Sequence, residues 1–467
     1  MCRRITAGKK SFKTRRRVMI GAKRVGILLS GVLLLAGCTP MGPLKLVLSD
    51  GALPAETPQR VVHVPISNDV LIVGGISTGF KSTGTAEFYN AYSGTFQTTG
   101  SLPAKLAGLQ TTPLGGTTNG VLAAGGSFLE GSYTNSTLTF RGTVTSAASL
   151  YNTQSGLFSA GGAMVKPRAL ATATLLADGS VLIAGGVDPF GTPLHTAEIY
   201  QPGTGSFTAV KNMHMPRALH SATLLKNGEV LIAGGIVDVN GTSTPTAEIY
   251  DPATQKFSLL NSTMVQSSSG QSATVISGCK CARDGDVLLA DGVIGATSDG
   301  NQFELGNPAA SLFDPATRTF SAPAAMPTDA RVFHSATLLP GGKVLLAGGL
   351  KGDILIGSGG ITGYSTNAIL ASAEIYDPVS SSFSCINGVT NFACNAALVT
   401  ARGGHVAALL TKGPNKGKVL LAGGLVDNGD EGVPNQSAEL YDPATNTFTA
   451  TSDMKVPRAF ANAVVLP

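Results

Sequence analysis

Apolar runs of four residues closed by a pair of small residues recur along the whole chain. They read VLIVGG from Val70, VLAAGG from Val121, VLIAGG from Val181 and from Val230, VLLADG from Val287, and VLLAGG from Val344 and from Val419. Uninterrupted apolarity over so short a run, bounded by glycine, predicts a strand. Each run is followed by a second short pattern in which a small and a polar residue precede an apolar one and an aromatic: AEIY ending at Tyr200 and at Tyr250 is the fullest form. The aromatic is Tyr89, Tyr151, Tyr200, Tyr250, Phe313, Tyr376 and Tyr441 in turn, and a phenylalanine follows each one at Phe96, Phe158, Phe207, Phe257, Phe320, Phe383 and Phe448. Diglycine, first aromatic and second aromatic each count to seven, with Asp291-Gly292 as the degraded diglycine, and successive pairs lie 49 to 75 residues apart. A fixed period of this length is the signature of a repeat array.

Each unit reads as four short strands. The first is typified by RALHSATLL, Arg217 to Leu225; Lys226-Asn227-Gly228 turns the chain into the apolar run, and AEIY is the third strand. Asn-Gly is a strong hairpin signal. Asp251-Pro252-Ala253-Thr254 then turns into the fourth strand, Asp capping the turn and Pro presetting φ at its second position.

These residues resemble the kelch repeat over roughly residues 60 to 467: a basic residue opens the first strand, a diglycine ends the second, and a Tyr-Asp-Pro-like word and a further aromatic follow. The family usually has Trp at that last aromatic; this chain has no Trp and uses Phe. The resemblance implies an all-β fold, a seven-bladed kelch-type β-propeller with four-stranded blades. The first unit begins at its second strand, and Arg458 to Leu466 repeats the first-strand pattern, so the C-terminal strand is expected to close the ring; Val61 to Ile66 competes for the same slot.

The N-terminus has a different character. Residues 1–37 hold ten Lys or Arg and no acid, and include an apolar run, Val25 to Ala36, ending Leu35-Ala36-Gly37-Cys38. The run is short for a membrane span and its flank is that of an export signal. It resembles a bacterial lipoprotein signal, which implies cleavage before Cys38, lipidation of that cysteine, a tether over 38–59 and the propeller over 60–467. The chain is then expected in the bacterial cell envelope, at the outer membrane in a Gram-negative host, as a monomer held to the membrane through its lipid. Those ten cations exceed the whole-chain net charge of +5, so the remaining residues carry −5. That balance offers no nucleic-acid footprint.

Four cysteines remain beyond Cys2 and Cys38, an even number that suits disulfides in an exported chain. Cys385 with Cys394 is the favoured pair. Cys279-Lys280-Cys281 is two thiols without a nearby pair of histidines, so no metal and no other cofactor is expected.

Strand direction alternates within a blade. The turns joining strands one to two and three to four therefore share one face, and they are mostly short, the first hairpin of the fifth unit being enlarged. The long segments at 127–146, 187–195, 293–308, 350–370 and 425–436 fall on the other face, with the starts of the first strands, and mark a binding surface. There Arg168, Arg217, Arg331, Arg402 and Arg458 recur, with Lys105 in the second unit, and His220, His334 and His405 follow three residues after their arginines. Two readings compete. The cations ring the channel mouth and bind an acidic or hydroxyl-rich ligand through forked hydrogen bonds; or they pair with Glu87, Glu198, Glu248, Glu374 and Glu439 and stitch the fold together. The function expected is a binding module for protein or glycan ligands. The alternative is a sugar-modifying enzyme of the sialate-epimerising kind or, more remotely, a galactose-oxidase-like copper enzyme, whose adjacent Tyr and His ligands have no counterpart here.

Overall fold

A computed structural model describes residues 65–466, apart from short segments at 116–119, 135–136, 297–301, 306–307, 352–353, 358–359, 365–368 and 429–431. Cys38, the export signal and the tether lie outside the described residues.

The apolar runs form strands buried along their whole length, as at Val181–Ala184 and Val344–Ala347. Each is the second strand of a four-stranded antiparallel sheet. The third sheet, for example, runs Thr172–Leu175, Val181–Ala184, Ala197–Gln201, Ser206–Ala209 in spatial order. Seven sheets of this kind follow one another among the described residues. The two aromatics of each unit sit directly across the outer strand pair, as Tyr250 faces Phe257 with ring centroids 4.8 Å apart. Such tilted pairs contribute beyond their buried area.

The core lies between sheets rather than within them. Leu182 and Ile199 of the third sheet pack on Val230, Ile232 and Tyr250 of the fourth. Val70, Ile72 and Tyr89 of the first sheet pack on Leu420 and Leu440 of the seventh, which closes the ring. The innermost strands touch in a cycle: Asn462–Val465, Gln110–Leu114, Thr172–Leu175, Ser221–Leu224, Ser272–Val275, Ser335–Leu338, Val406–Leu409, and back to the first. Asn462–Val465 pairs antiparallel with Val70–Val73, so a C-terminal strand completes the sheet whose other three strands come from the start of the array.

Candidate functional site

The five arginines stand just before their first strands, and the structure corrects the expectation of a cationic mouth. Arg168, Arg217, Arg331, Arg402 and Arg458 are 0–1% exposed. The strand predicted from Arg217 starts only at Ser221, because Leu219 turns the chain left-handed with φ 54°. That bend tucks the guanidinium inside its own blade. Arg217 Nη1 donates to the carbonyls of Gly234 (2.8 Å) and Thr246 (2.9 Å), and its Nη2 and Nε donate to Glu248 Oε1 at 3.2 Å. Glu248 also accepts from the backbone amides of His214 and Met215. The other four arginines bind their first glycine carbonyl in the same way. The backbone carbonyl of Arg217, meanwhile, accepts from Gly186 of the preceding blade at 2.8 Å. One residue thus ties a blade to itself through its side chain and to its neighbour through its main chain. Burial draws the guanidinium pKa of Arg217 down, and Glu248 opposes it. These groups are buried and spend their Nη donors inside the fold, so they hold it together and form no exposed ligand-binding ring. The residue equivalent to them in the second unit is Leu106, whose carbonyl accepts from Gly75; Lys105 is one place off.

The histidines are likewise interior ties rather than ligands' partners. His220 Nε2 lies 3.0 Å from Thr172 Oγ1, His334 Nε2 2.8 Å from Ser272 Oγ, and His405 Nε2 2.9 Å from Ser335 Oγ. Each bond joins one inner strand to the one before it. Burial, and then the neighbouring arginines, push His220 and His334 down to about 3 and His405 well below its usual range. They are neutral at physiological pH.

What rings the mouth instead is apolar. Two places beyond each arginine position stand Gly108, Leu170, Leu219, Gly270, Phe333, Gly404 and Phe460, all with φ between 51° and 67°. Their main chains link blade to blade: Leu170 N donates to Gly108 O, Leu219 N to Leu170 O, Gly270 N to Leu219 O, Gly404 N to Phe333 O and Phe460 N to Gly404 O, at 2.8–3.3 Å. Left-handed backbone at Leu and Phe costs on the order of 1–2 kcal/mol each. Four such residues persist because the collar over-determines them. No sequence signal announced it, since Leu and Phe are not residues that favour positive φ.

The long loops build a canopy over part of this collar. Ile76–Ser77 and Lys81–Ser82 of the first blade join Ser127–Thr134 and Thr137–Val144 of the second in a four-stranded sheet. Val293–Ala296 and Gln302–Leu305 of the fifth join Ile354–Gly357 and Gly360–Tyr364 of the sixth in another. The strands Thr137–Val144 and Gly360–Tyr364 lie against each other, so the two sheets meet. Phe460, Leu129 and Ile369 pack against one apolar cluster with Ile76 and Phe80, and Phe333 and Ile369 against another with Val332 and Leu350. The loops of the third and fourth blades stay low. Asp188 accepts from the amides of Phe190 and Thr192, and Asp238 from those of Asn240 and Thr242, which folds each loop into a tight turn. At the turns Phe190 is 90% and Val239 69% exposed, and Leu170 of the collar is 37% exposed on the same side. These exposed apolar groups on the loop side make it the candidate ligand surface.

Two disulfides form among the described residues. Cys385 is bonded to Cys394 across the chain leaving the sixth blade, and Cys279 to Cys281 in the first hairpin of the fifth.

Residues 170–214, one unit of the array, match the Kelch motif family. The six remaining units place an aromatic pair, five of them the diglycine and four of them the buried arginine, at equivalent points of their sheets. The fold is a kelch-repeat β-propeller. A solved structure, that of YjhT, is similar to it at 17% identity and a TM-score of 0.44, over 68% of this chain and 95% of that one. No curated protein matches the chain.

Proposed function

We propose that this propeller is a binding module, held in the bacterial envelope by a lipid on Cys38, whose loop face engages a protein or glycan. The observation that carries the reading is the asymmetry of the two faces. One has mostly short turns. The other has a canopy of two sheets beside a low sector where Phe190, Val239 and Leu170 present apolar surface. Apolar and aromatic groups at a rim suit the flat faces of sugar rings or the apolar side chains of a peptide. Binding is favoured over turnover because the histidines nearest the inner strands are neutral and spend Nε2 on Ser or Thr hydroxyls, which leaves them poor acids or bases. The test is a glycan and peptide array probed with the purified protein and with Phe190→Ser/Val239→Ser. Ligands retained by the first and lost by the second support the reading. Equal retention moves the site elsewhere, and turnover of a bound sugar makes the protein an enzyme.

A further inference from the structure

The fifth blade breaks the pattern of its neighbours in three places at once. Ser268 stands where five blades have arginine, Ser311 where they have glutamate, and Asp291 where six have the first glycine. The two serines keep one backbone bond apiece. Ser268 Oγ donates to the Asp291 carbonyl at 2.5 Å, as the guanidiniums do to the first glycine, and Ser311 Oγ accepts from Val265 N at 2.9 Å, as the glutamates do. Their short side chains do not refill the space. A small cavity of about 10 Å³, room for one water-sized occupant, lies between Met264, Ser268, Gln271, Leu289, Asp291 and Ser311. The second blade also lacks the pair, and has the buried apolar Leu106 at the arginine position, packed with Phe88, Val121 and Tyr151.

The lining of the fifth-blade pocket is one-sided. Asp291 is 6% exposed, and neither of its carboxylate oxygens has a hydrogen-bond partner among the described residues; nor does Gln271 Oε1. All three are acceptors. Gln271 spends its donor nitrogen on Ala233 O at 2.8 Å. The nearest cation is Arg331 of the next blade. Its Nε lies 3.9 Å from Asp291 Oδ2, beyond hydrogen-bond reach, while its Nη2 serves Asp329 and Glu374. Three carboxylates therefore face one guanidinium where a standard blade has one facing one. Burial drives the Asp291 carboxyl well above its usual range; Arg331 opposes this, and Glu374 and Asp329 add to it. Buried acceptors and surplus negative charge call for a positive partner.

We infer that this pocket binds a small monovalent cation through the Asp291 carboxylate and the Gln271 amide oxygen, in the place where other blades put a guanidinium. The charge of one free carboxylate and room at the centre for about one water-sized occupant set the class: sodium, potassium or ammonium rather than an organic cation. The site is independent of the loop-face ligand.

Melting of the whole protein in sodium, potassium, ammonium and choline chlorides at equal ionic strength tests this. One or more of the small cations should raise the midpoint by about 2–4 °C over choline. Asp291→Gly restores the diglycine of the other blades at a position whose φ of 57° suits glycine, and it should abolish the difference. Ser268→Arg/Ser311→Glu should abolish it too, by supplying the missing pair. A second readout needs no variant to be stable: sodium-23 NMR lines broadened by the protein and sharpened again by the preferred competing cation. Equal melting in choline and every small cation, an ion-specific shift that survives in Asp291→Gly, or no sodium broadening together with no ammonium or potassium effect would overturn the site and leave bound water as the occupant.

Discussion

Phe333 and Phe460 meet edge to face, ring centroids 5.2 Å apart and planes at 85°, although they open the inner strands of two blades with a third between them. The contact exists because the intervening blade has Gly404 at the same place, where a Cβ would stand 2.7 Å from the Phe460 ring. Both phenylalanines hold left-handed backbone, with φ 53° and 51°. The collar therefore exchanges backbone strain for apolar closure on the canopy side.

That exchange reverses the usual ranking of small residues. Phe460→Ala loses the ring but keeps a Cβ in a left-handed conformation, whereas Phe460→Gly loses both. The glycine variant should be the more stable of the two by about 1 kcal/mol. Urea midpoints of the two proteins check it.

Arg217 and Glu248 form a buried pair whose partners need each other. Arg217→Met leaves a carboxylate uncompensated inside the blade and should cost about 3–5 kcal/mol. Arg217→Met/Glu248→Gln removes that charge while keeping an acceptor for the amides of His214 and Met215, and should recover at least a third of the loss. Chemical denaturation of wild type, single and double variants measures the coupling.

Acid should unfold the protein in part through its histidines. In the unfolded chain each titrates near 6.5; in the fold His220 and His334 do so at about 3 and His405 lower still. Below 6.5 the unfolded state binds the more protons. The stability held above that pH is therefore lost as pH falls through 6.5 toward 3, at up to about 1.4 kcal/mol per pH unit per histidine. The fifth blade already uses Gln271 at this position, bonded to its neighbour's Ala233. Replacing all three histidines by glutamine should preserve stability at pH 7 and flatten the acid limb, read as urea midpoint against pH.

On the loop face, Phe190→Ser/Val239→Ser should weaken ligand binding at least tenfold while leaving the melting temperature within about 1 °C, because both side chains are exposed at turns whose geometry is set by Asp188 and Asp238. Replacing Asp188 and Asp238 by alanine tests the supporting turns separately, and should weaken binding through loop order.

The array was legible because its signals are local. A continuous apolar run, a diglycine and two aromatics each act within one sheet, so counting them counted the sheets. The partnership of arginine and glutamate was visible as two matched series, Arg217 with Glu248 among them, but their depth was not. Burial depends on the left-handed residue at Leu219, and leucine gives no warning of that. The absence of arginine at Ser268 could have been found by continuing the series through the fifth unit, where Ser311 also replaces glutamate. Lys105 misled because a cation one residue from the right place looks like the right place until backbone bonds identify Leu106. The canopy was beyond reach, since the strands at Thr137–Val144 and Gly360–Tyr364 come from different units and share no repeat.

The pairing of Asn462–Val465 with Val70–Val73 also orders events in time. As the chain emerges, six sheets have all their strands as soon as their own segments do, while the one begun first must wait for Asn462–Val465. Until then the nascent protein is an unsealed crescent with the bare edge of Val70–Val73 at one end. The seam is thus the step most open to interception by a chaperone or by another chain's strand.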